Sequence, residues 1–227
     1  MVFYAAMTIL IYGLSPAGYL YKDRIICTEL KRAVRIVGWS VGIFLLIWGI
    51  LTLWAEGERP SASWNFGSEP AAGTALIRYN PDLFYNLDHQ VSRAFAEGLA
   101  EEGWQVDVVT TAGTEGLDPM GYDLYVFCAN TYNWAPDRQV SKLIRSASYL
   151  RGKPAAAITL GSGSTGRSQR LLEELLLEKG AKLIRSETYW LMKPNDESRP
   201  GVPNTQVARE AAFRMGHECA LLLRSNP

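Results

Sequence analysis

The sequence predicts an α/β domain with a three-layer, doubly wound sheet of five parallel strands. Two observations carry this. Short apolar runs alternate with helical stripes from Thr74 onward, as in a parallel sheet covered on both faces. Two of those runs also open into loops equipped for a ligand. Tyr122–Cys128 leads into Asn130-Thr131-Tyr132-Asn133-Trp134-Ala135-Pro136, and Ala155–Leu160 leads into Gly161-Ser162-Gly163-Ser164-Thr165-Gly166. In open α/β sheets ligands sit beyond the carboxyl ends of the strands. One loop offers aromatic faces, the other backbone NH groups at a helix start.

Each element has its own signal. Thr74–Tyr79 is an apolar strand. Asp88–Glu102 places Val91, Phe95 and Leu99 four residues apart, a helical stripe. Gln105–Thr110 is the second strand, and a turn-rich connection runs through Asp118-Pro119. Tyr122–Cys128 is the third strand, Arg138–Leu150 a helix and Lys153–Leu160 the fourth strand. Arg167–Lys179 carries Leu171, Leu172, Leu175 and Leu176 on one face and is stopped by Gly180. Ala181–Arg185 is the fifth strand, with an extension towards Met192 left open. A polar loop, Lys193–Asn204, leads to a last helix ending near Leu223. Right-handed crossovers between such strands complete the three layers.

Ahead of this domain lies a different kind of sequence. Residues 1–55 read as a membrane anchor, 56–73 as a linker rich in Gly, Pro, Ser and acids, and 74–227 as the domain. Ile36–Ala55 has no charged side chain and sets Trp39 and Trp54 near its ends, where indoles prefer the interface. A helix of about 20 residues crosses a hydrocarbon core of roughly 30 Å. Met1–Tyr21 is also uncharged, with a candidate span over 2–21. Gly13–Gly18 interrupts it, so a kinked span and an interfacial segment are both open. Lys22, Arg24, Lys31, Arg32 and Arg35 lie between the two runs. The positive-inside rule puts that basic loop in the cytoplasm and the C-terminal domain outside it.

Composition excludes several functions. With 23 basic against 23 acidic side chains, no global field draws the chain to nucleic acid. Cys27, Cys128 and Cys219 are too widely spaced for a metal or disulfide framework, and Cys128 reads as a small core residue. His89 and His217 read as core or surface residues. Gly161–Ser168 fits G-x-x-x-x-G-K-[ST] with Arg167 in place of lysine. It follows the fourth strand rather than the first, and the lysine that reaches phosphates is missing, so nucleotide hydrolysis is set aside.

Residues 74–223 resemble the flavodoxin-like family, whose strand order is 2-1-3-4-5. Gly121–Phe127 leading into Asn130–Pro136 is similar to the family's third strand and loop, often Gly-Tyr-Asp then Pro-Thr-Tyr. Gly161–Gly166 is similar to its second flavin-facing loop, and Lys193–Glu197 to a loop of its oxidoreductase branch. The resemblance implies a flavin-dependent redox or electron-transfer role with FMN as cofactor. Asn130, Thr131, Tyr132, Asn133 and Trp134 would border the ring, with Tyr132 or Trp134 stacking on it. Gly161, Ser162, Gly163, Ser164 and Thr165 would face the pyrimidine end. The family mostly works in the cytoplasm, so both membrane sides stay open. Its partners would be the bilayer and a redox or membrane-protein partner.

The first loop departs from the family pattern. Where flavodoxins carry Ser/Thr-rich phosphate loops, this chain has Asn80-Pro81-Asp82-Leu83-Phe84-Tyr85-Asn86-Leu87-Asp88-His89. Pro81 has no NH to give. Asp82 and Asp88 set like charges against a phosphate, and Asp88 reads as a helix N-cap. Asn80, Asn86 and His89 are the remaining candidates for holding the phosphate, with Arg78 near enough to offset its charge. The alternative function is therefore a non-catalytic descendant, kept as a binding or assembly module at the membrane.

Overall fold

The computed structural model describes residues 16–83, 85–113 and 118–225. The chain divides between Leu53 and Trp54 into two compact units. The first described element is α1, Pro16–Ala55, a helix of 40 residues. Within it, Leu30–Ala55 has a mean hydropathy of 2.2 and is long and apolar enough to cross a membrane. The segment expected as a basic loop, Lys22–Arg35, is helical throughout. No proline or turn chemistry interrupts residues 22–35, and Lys and Arg are good helix formers. Residues 1–15 of the first apolar run lie outside the described residues.

The second unit holds the predicted sheet and two further strands. Its elements are β1 (Ser63–Phe66), β2 (Gly73–Tyr79), α2 (Leu87–Glu101), β3 (Trp104–Thr110), β4 (Leu124–Tyr132) and β5 (Ala135–Pro136). They continue with α3 (Arg138–Ser146), β6 (Pro154–Gly161), α4 (Gly166–Glu178), β7 (Lys182–Trp190) and α5 (Asn204–Ser225). The sheet order is β1-β3-β2-β4-β6-β7, with β5 paired to β4. Five parallel strands thus follow the expected order, with β2 between β3 and β4. Two strands of the seven were not expected. β5 is a two-residue return of the Asn130–Pro136 loop.

β1 lies inside the stretch read as a linker. It pairs antiparallel with β3, Trp64 opposite Val108 and Phe66 opposite Val106, and packs those half-buried aromatics against the core. Gly67 then turns the chain at φ +85°, and a Cβ there would lie 2.0 Å from the Trp104 carbonyl oxygen, so only glycine fits. Residues 56–73 are thus part of the domain, because four alternating residues can satisfy an open sheet edge.

Two hydrophobic layers flank the sheet. α2 and α5 pack on one face, burying Val91, Phe95, Leu99, Ala212 and Met215 against Ile77, Val126 and Ile158. α3 and α4 cover the other, burying Ile144, Leu172 and Leu176 against Leu76, Tyr125 and Phe127. Cys128 is fully buried in the first layer, as its sequence context suggests. Helix α3 stops at Ser146, short of the expected Leu150. β7 runs on to Trp190.

Candidate functional site

The site is built at the carboxyl ends of β2, β4 and β6. Pairing of Asn130 with Leu160 across β4 and β6 brings their following loops together. Gly161 shows how closely. A Cβ on it would lie 2.5 Å from Thr165 Cγ2 and 3.2 Å from Thr131 Cβ. The Thr131 hydroxyl at this junction is buried and has no hydrogen-bond partner among the described residues. A buried polar group without a partner costs roughly 1–3 kcal/mol, a cost this junction shares with the buried Thr159 and Ser168 hydroxyls.

Tyr132 and Ala135 pair with each other across a two-residue turn. Asn133 and Trp134 occupy it at φ +49° and +60°. Both positions of this turn need positive φ, which suits Asn-Gly. Tryptophan there costs on the order of 1–2 kcal/mol. Nothing in the core repays that, because Trp134 is 59% exposed. Such strain at the carboxyl end of a sheet makes this turn a candidate ligand contact. Tyr132 behaves differently: its hydroxyl donates to Asp82 Oδ2 at 2.6 Å, tying the ring to the first loop and its phenol pKa upward through burial and the Asp82 carboxylate.

On the other side, Thr165 is buried and its hydroxyl accepts from Trp190 Nε1 at 2.8 Å. Lys193 Nζ lies 4.3 Å from the Trp190 ring centre. Backbone NH groups of Leu191 and Met192 donate to the carbonyls of Gly161 and Ser162 at 2.9 and 3.2 Å. Gly163 is half-buried, while Ser162 and Ser164 are exposed. Asn204 holds this arrangement from the start of α5. Its Nδ2 donates to the carbonyls of Trp190 and Lys193 at 2.7 and 2.6 Å, and its Oδ1 accepts from Asn195 N at 2.8 Å. Asn204→Ala is expected to cost about 1–2 kcal/mol, measured as a lowered denaturation midpoint; an unmoved midpoint would show that the loop is held by other contacts.

The first loop takes a form not legible beforehand. Asp88 is the second residue of α2, and Asn86 stands at the N-cap without a side-chain bond, so the N-cap expectation for Asp88 is corrected. The Asp88 carboxylate points back into the loop and is 1% exposed. It accepts from the backbone NH groups of Asp82 and His89 and from Asn130 Nδ2, the last two at 2.6 and 3.0 Å. Burial raises its pKa to about 6, against the lowering effect of those donors. Asn80 is turned to the scaffold: its amide donates to Gly57 O and its oxygen accepts from Thr111.

The expected cations are engaged elsewhere. His89 Nδ1 meets the Tyr79 hydroxyl at 2.9 Å, and its ring lies 4.4 Å from that of Trp64. Burial, with Arg93 nearby, lowers its pKa and favours the neutral ring. Arg78 is buried and donates to the carbonyls of Thr110 and Thr111 at 3.1 and 3.0 Å. A phosphate brought to this helix start would meet the buried Asp88 carboxylate, so the residues of this loop do not fit that group. The loops after β4 and β6 instead present an exposed indole, Trp134, and a close approach of Gly161 to Thr131. A signal for Asp88 did exist: two acids stand where the family carries hydroxyls.

No family model matches the chain, and no curated protein does. Solved structures share its fold. Rubredoxin oxygen:oxidoreductase from Desulfovibrio gigas superposes with a TM-score of 0.54 at 17% identity, over 68% of this chain and 37% of that one. The flavodiiron protein of Giardia intestinalis gives 0.50 at 16% identity, over 65% and 34%. This chain therefore spans little more than a third of either. A flavodoxin from the domain Archaea gives 0.49 at 13% identity, over 66% and 99%. The domain has a flavodoxin-like fold.

Proposed function

We infer that this protein is a membrane-tethered flavodoxin-like domain that holds a flat, redox-active ring of flavin type between Asn130–Trp134 and Gly161–Thr165. The observation that carries this reading is the strained, exposed Trp134 in the turn that follows β4, at the carboxyl edge of the sheet. A flat ring gains apolar contact from an indole. The closely packed Gly161 loop would leave it one edge for hydrogen bonding. The apolar Leu30–Ala55 segment supports a position at a bilayer. The family named above handles electrons through such rings, and electron transfer to a membrane or redox partner is the role that follows. An absorbance spectrum of the detergent-extracted full chain tests this. A bound chromophore, or one taken up on incubation with riboflavin or FMN, is the expected result.

Trp134 separates ring binding from folding. Trp134→Ala is expected to weaken ring binding by about 1–3 kcal/mol through lost stacking and apolar area. Trp134→Gly should lose at least as much binding while leaving the denaturation midpoint unchanged or raised, since glycine tolerates φ +60°. Unchanged ring affinity in both variants would count against the site.

A second reading is favoured by the first loop itself, whose Asp82 and Asp88 bonds are satisfied within the protein. It makes the domain a non-catalytic binding or assembly module. A protein that stays colourless with both flavins would select it.

A further inference from the structure

We propose that Asp88 is an internal stand-in for a phosphate, so that the ring taken by this site carries no terminal phosphate: riboflavin-type rather than FMN-type. The proposal rests on the ring-binding reading above. A helix start beside a turn of backbone is a natural anion site. Here an anion is already in it. The Asp88 carboxylate draws in one donor from the loop (Asp82 N), one from the helix (His89 N) and one from the neighbouring strand end (Asn130 Nδ2). Three donors from three elements thus converge on one buried anion, and the group is 1% exposed.

The surroundings agree. Pro81 gives no NH, and the Tyr85 NH is turned to Asp82 Oδ1. The second Asp82 oxygen takes the Tyr132 hydroxyl, so a phosphate would meet two carboxylates at once. His89 is held as a neutral partner of Tyr79 and Trp64, and Arg78 is committed to the carbonyls at the end of β3. Like charge therefore repels a phosphorylated tail, while an uncharged ribityl chain meets no such repulsion. A merely structural acid at a helix start would stabilise α2 but would not govern which tail binds.

The test uses the full chain in detergent. Riboflavin and FMN are titrated against the parent, Asp88→Ser and the near-isosteric Asp88→Asn. Inorganic phosphate is added to each in a thermal melt, against chloride at equal ionic strength. The parent should bind riboflavin at least as tightly as FMN and show no specific response to phosphate. Asp88→Ser should move the preference tenfold or more towards FMN and gain a melting rise with phosphate. Asp88→Asn gives the same reading if the serine variant does not fold. A parent that prefers FMN tenfold, or variants whose preference and phosphate response match the parent's, would overturn the proposal. If no flavin binds any form, the ring reading fails, while the phosphate melts still decide the role of Asp88: a rise in the variants alone supports it, and equal responses refute it.

Discussion

Alanine at Gly98 is expected to destabilise the domain by about 2–3 kcal/mol, and valine to abolish its cooperative unfolding. Helices α2 and α5 cross with their backbones in contact. A Cβ on Gly98 would lie 2.1 Å from the Phe213 carbonyl oxygen and 3.0 Å from His217 N. The contact is reciprocal, since a Cβ on Gly216 would lie 2.2 Å from the Phe95 carbonyl oxygen. Neither neighbour is a side chain that can swing aside. Alanine gains about 1 kcal/mol of helix propensity over glycine, yet the helices must separate to admit it. Separation loosens Phe95 and Leu99, both fully buried under the crossing. Once the helices have parted, a second methyl costs little. The pair Gly98→Ala and Gly216→Ala should thus fall well short of additivity. Denaturant midpoints of the detergent-solubilised chain measure this, and a Gly98→Ala variant within 0.5 kcal/mol of the parent would be contrary to it.

Stability is also expected to fall as pH rises from about 4.5 to 8, by on the order of 3 kcal/mol. Two buried carboxyls cause it, opposed in part by His89, whose lowered pKa makes the folded state shed its proton before the unfolded chain does. Asp137 is fully buried, caps α3 through Val140 N, and leaves Oδ2 without a partner among the described residues. Burial raises its pKa to about 7, and that of Asp88 to about 6, from an ordinary value of 3.8. A raised carboxyl means that the folded state holds its proton longer than the unfolded chain. The stabilising difference is complete below the unfolded pKa and is lost as pH climbs through 6 and 7. Glu210 works in the opposite sense, since Arg199 and Gln206 hold its pKa down to about 2. Its contribution is lost only as pH falls below about 4.5, outside the window. Melting at pH 5 and pH 8 should differ clearly in the parent. Asp137→Asn and Asp88→Asn should each flatten the difference, and an equal slope in all three would rule out these groups.

Much of the fold was legible because the signals were local. The Val91-Phe95-Leu99 stripe and the Gly180 stop need no knowledge of what they pack against. β1 was not legible, because Ser63-Trp64-Asn65-Phe66 offers only two alternations within a stretch of turn residues. Only the open edge of β3 makes a strand of it. The two loops at the carboxyl ends of β4 and β6 were legible from their aromatics and glycines. The strain at Trp134 was hidden, since Asn-Trp lacks the glycine that marks this turn. Asp88 was read as a helix cap because an acid at a helix start usually is one. Its role depends on Asn130, 42 positions away in the chain, and no local pattern reports such a pairing.

The placement of β1 has a mechanical consequence. Between Ala55 and Gly73 the chain is held by the Gln139 amide on Glu56 O, the Asn80 amide on Gly57 O, Thr110 against Pro60 and Ala62, and the four-residue ladder of β1 on β3. Such a short edge ladder can peel away one pair at a time, while the five parallel strands and their two helical layers stay shut. Release of the chain from Glu56 to Ala72 would pay out roughly 55 Å of slack at about 3.4 Å per residue. Tension applied at Ala55 is thus expected to release this segment before the five parallel strands part.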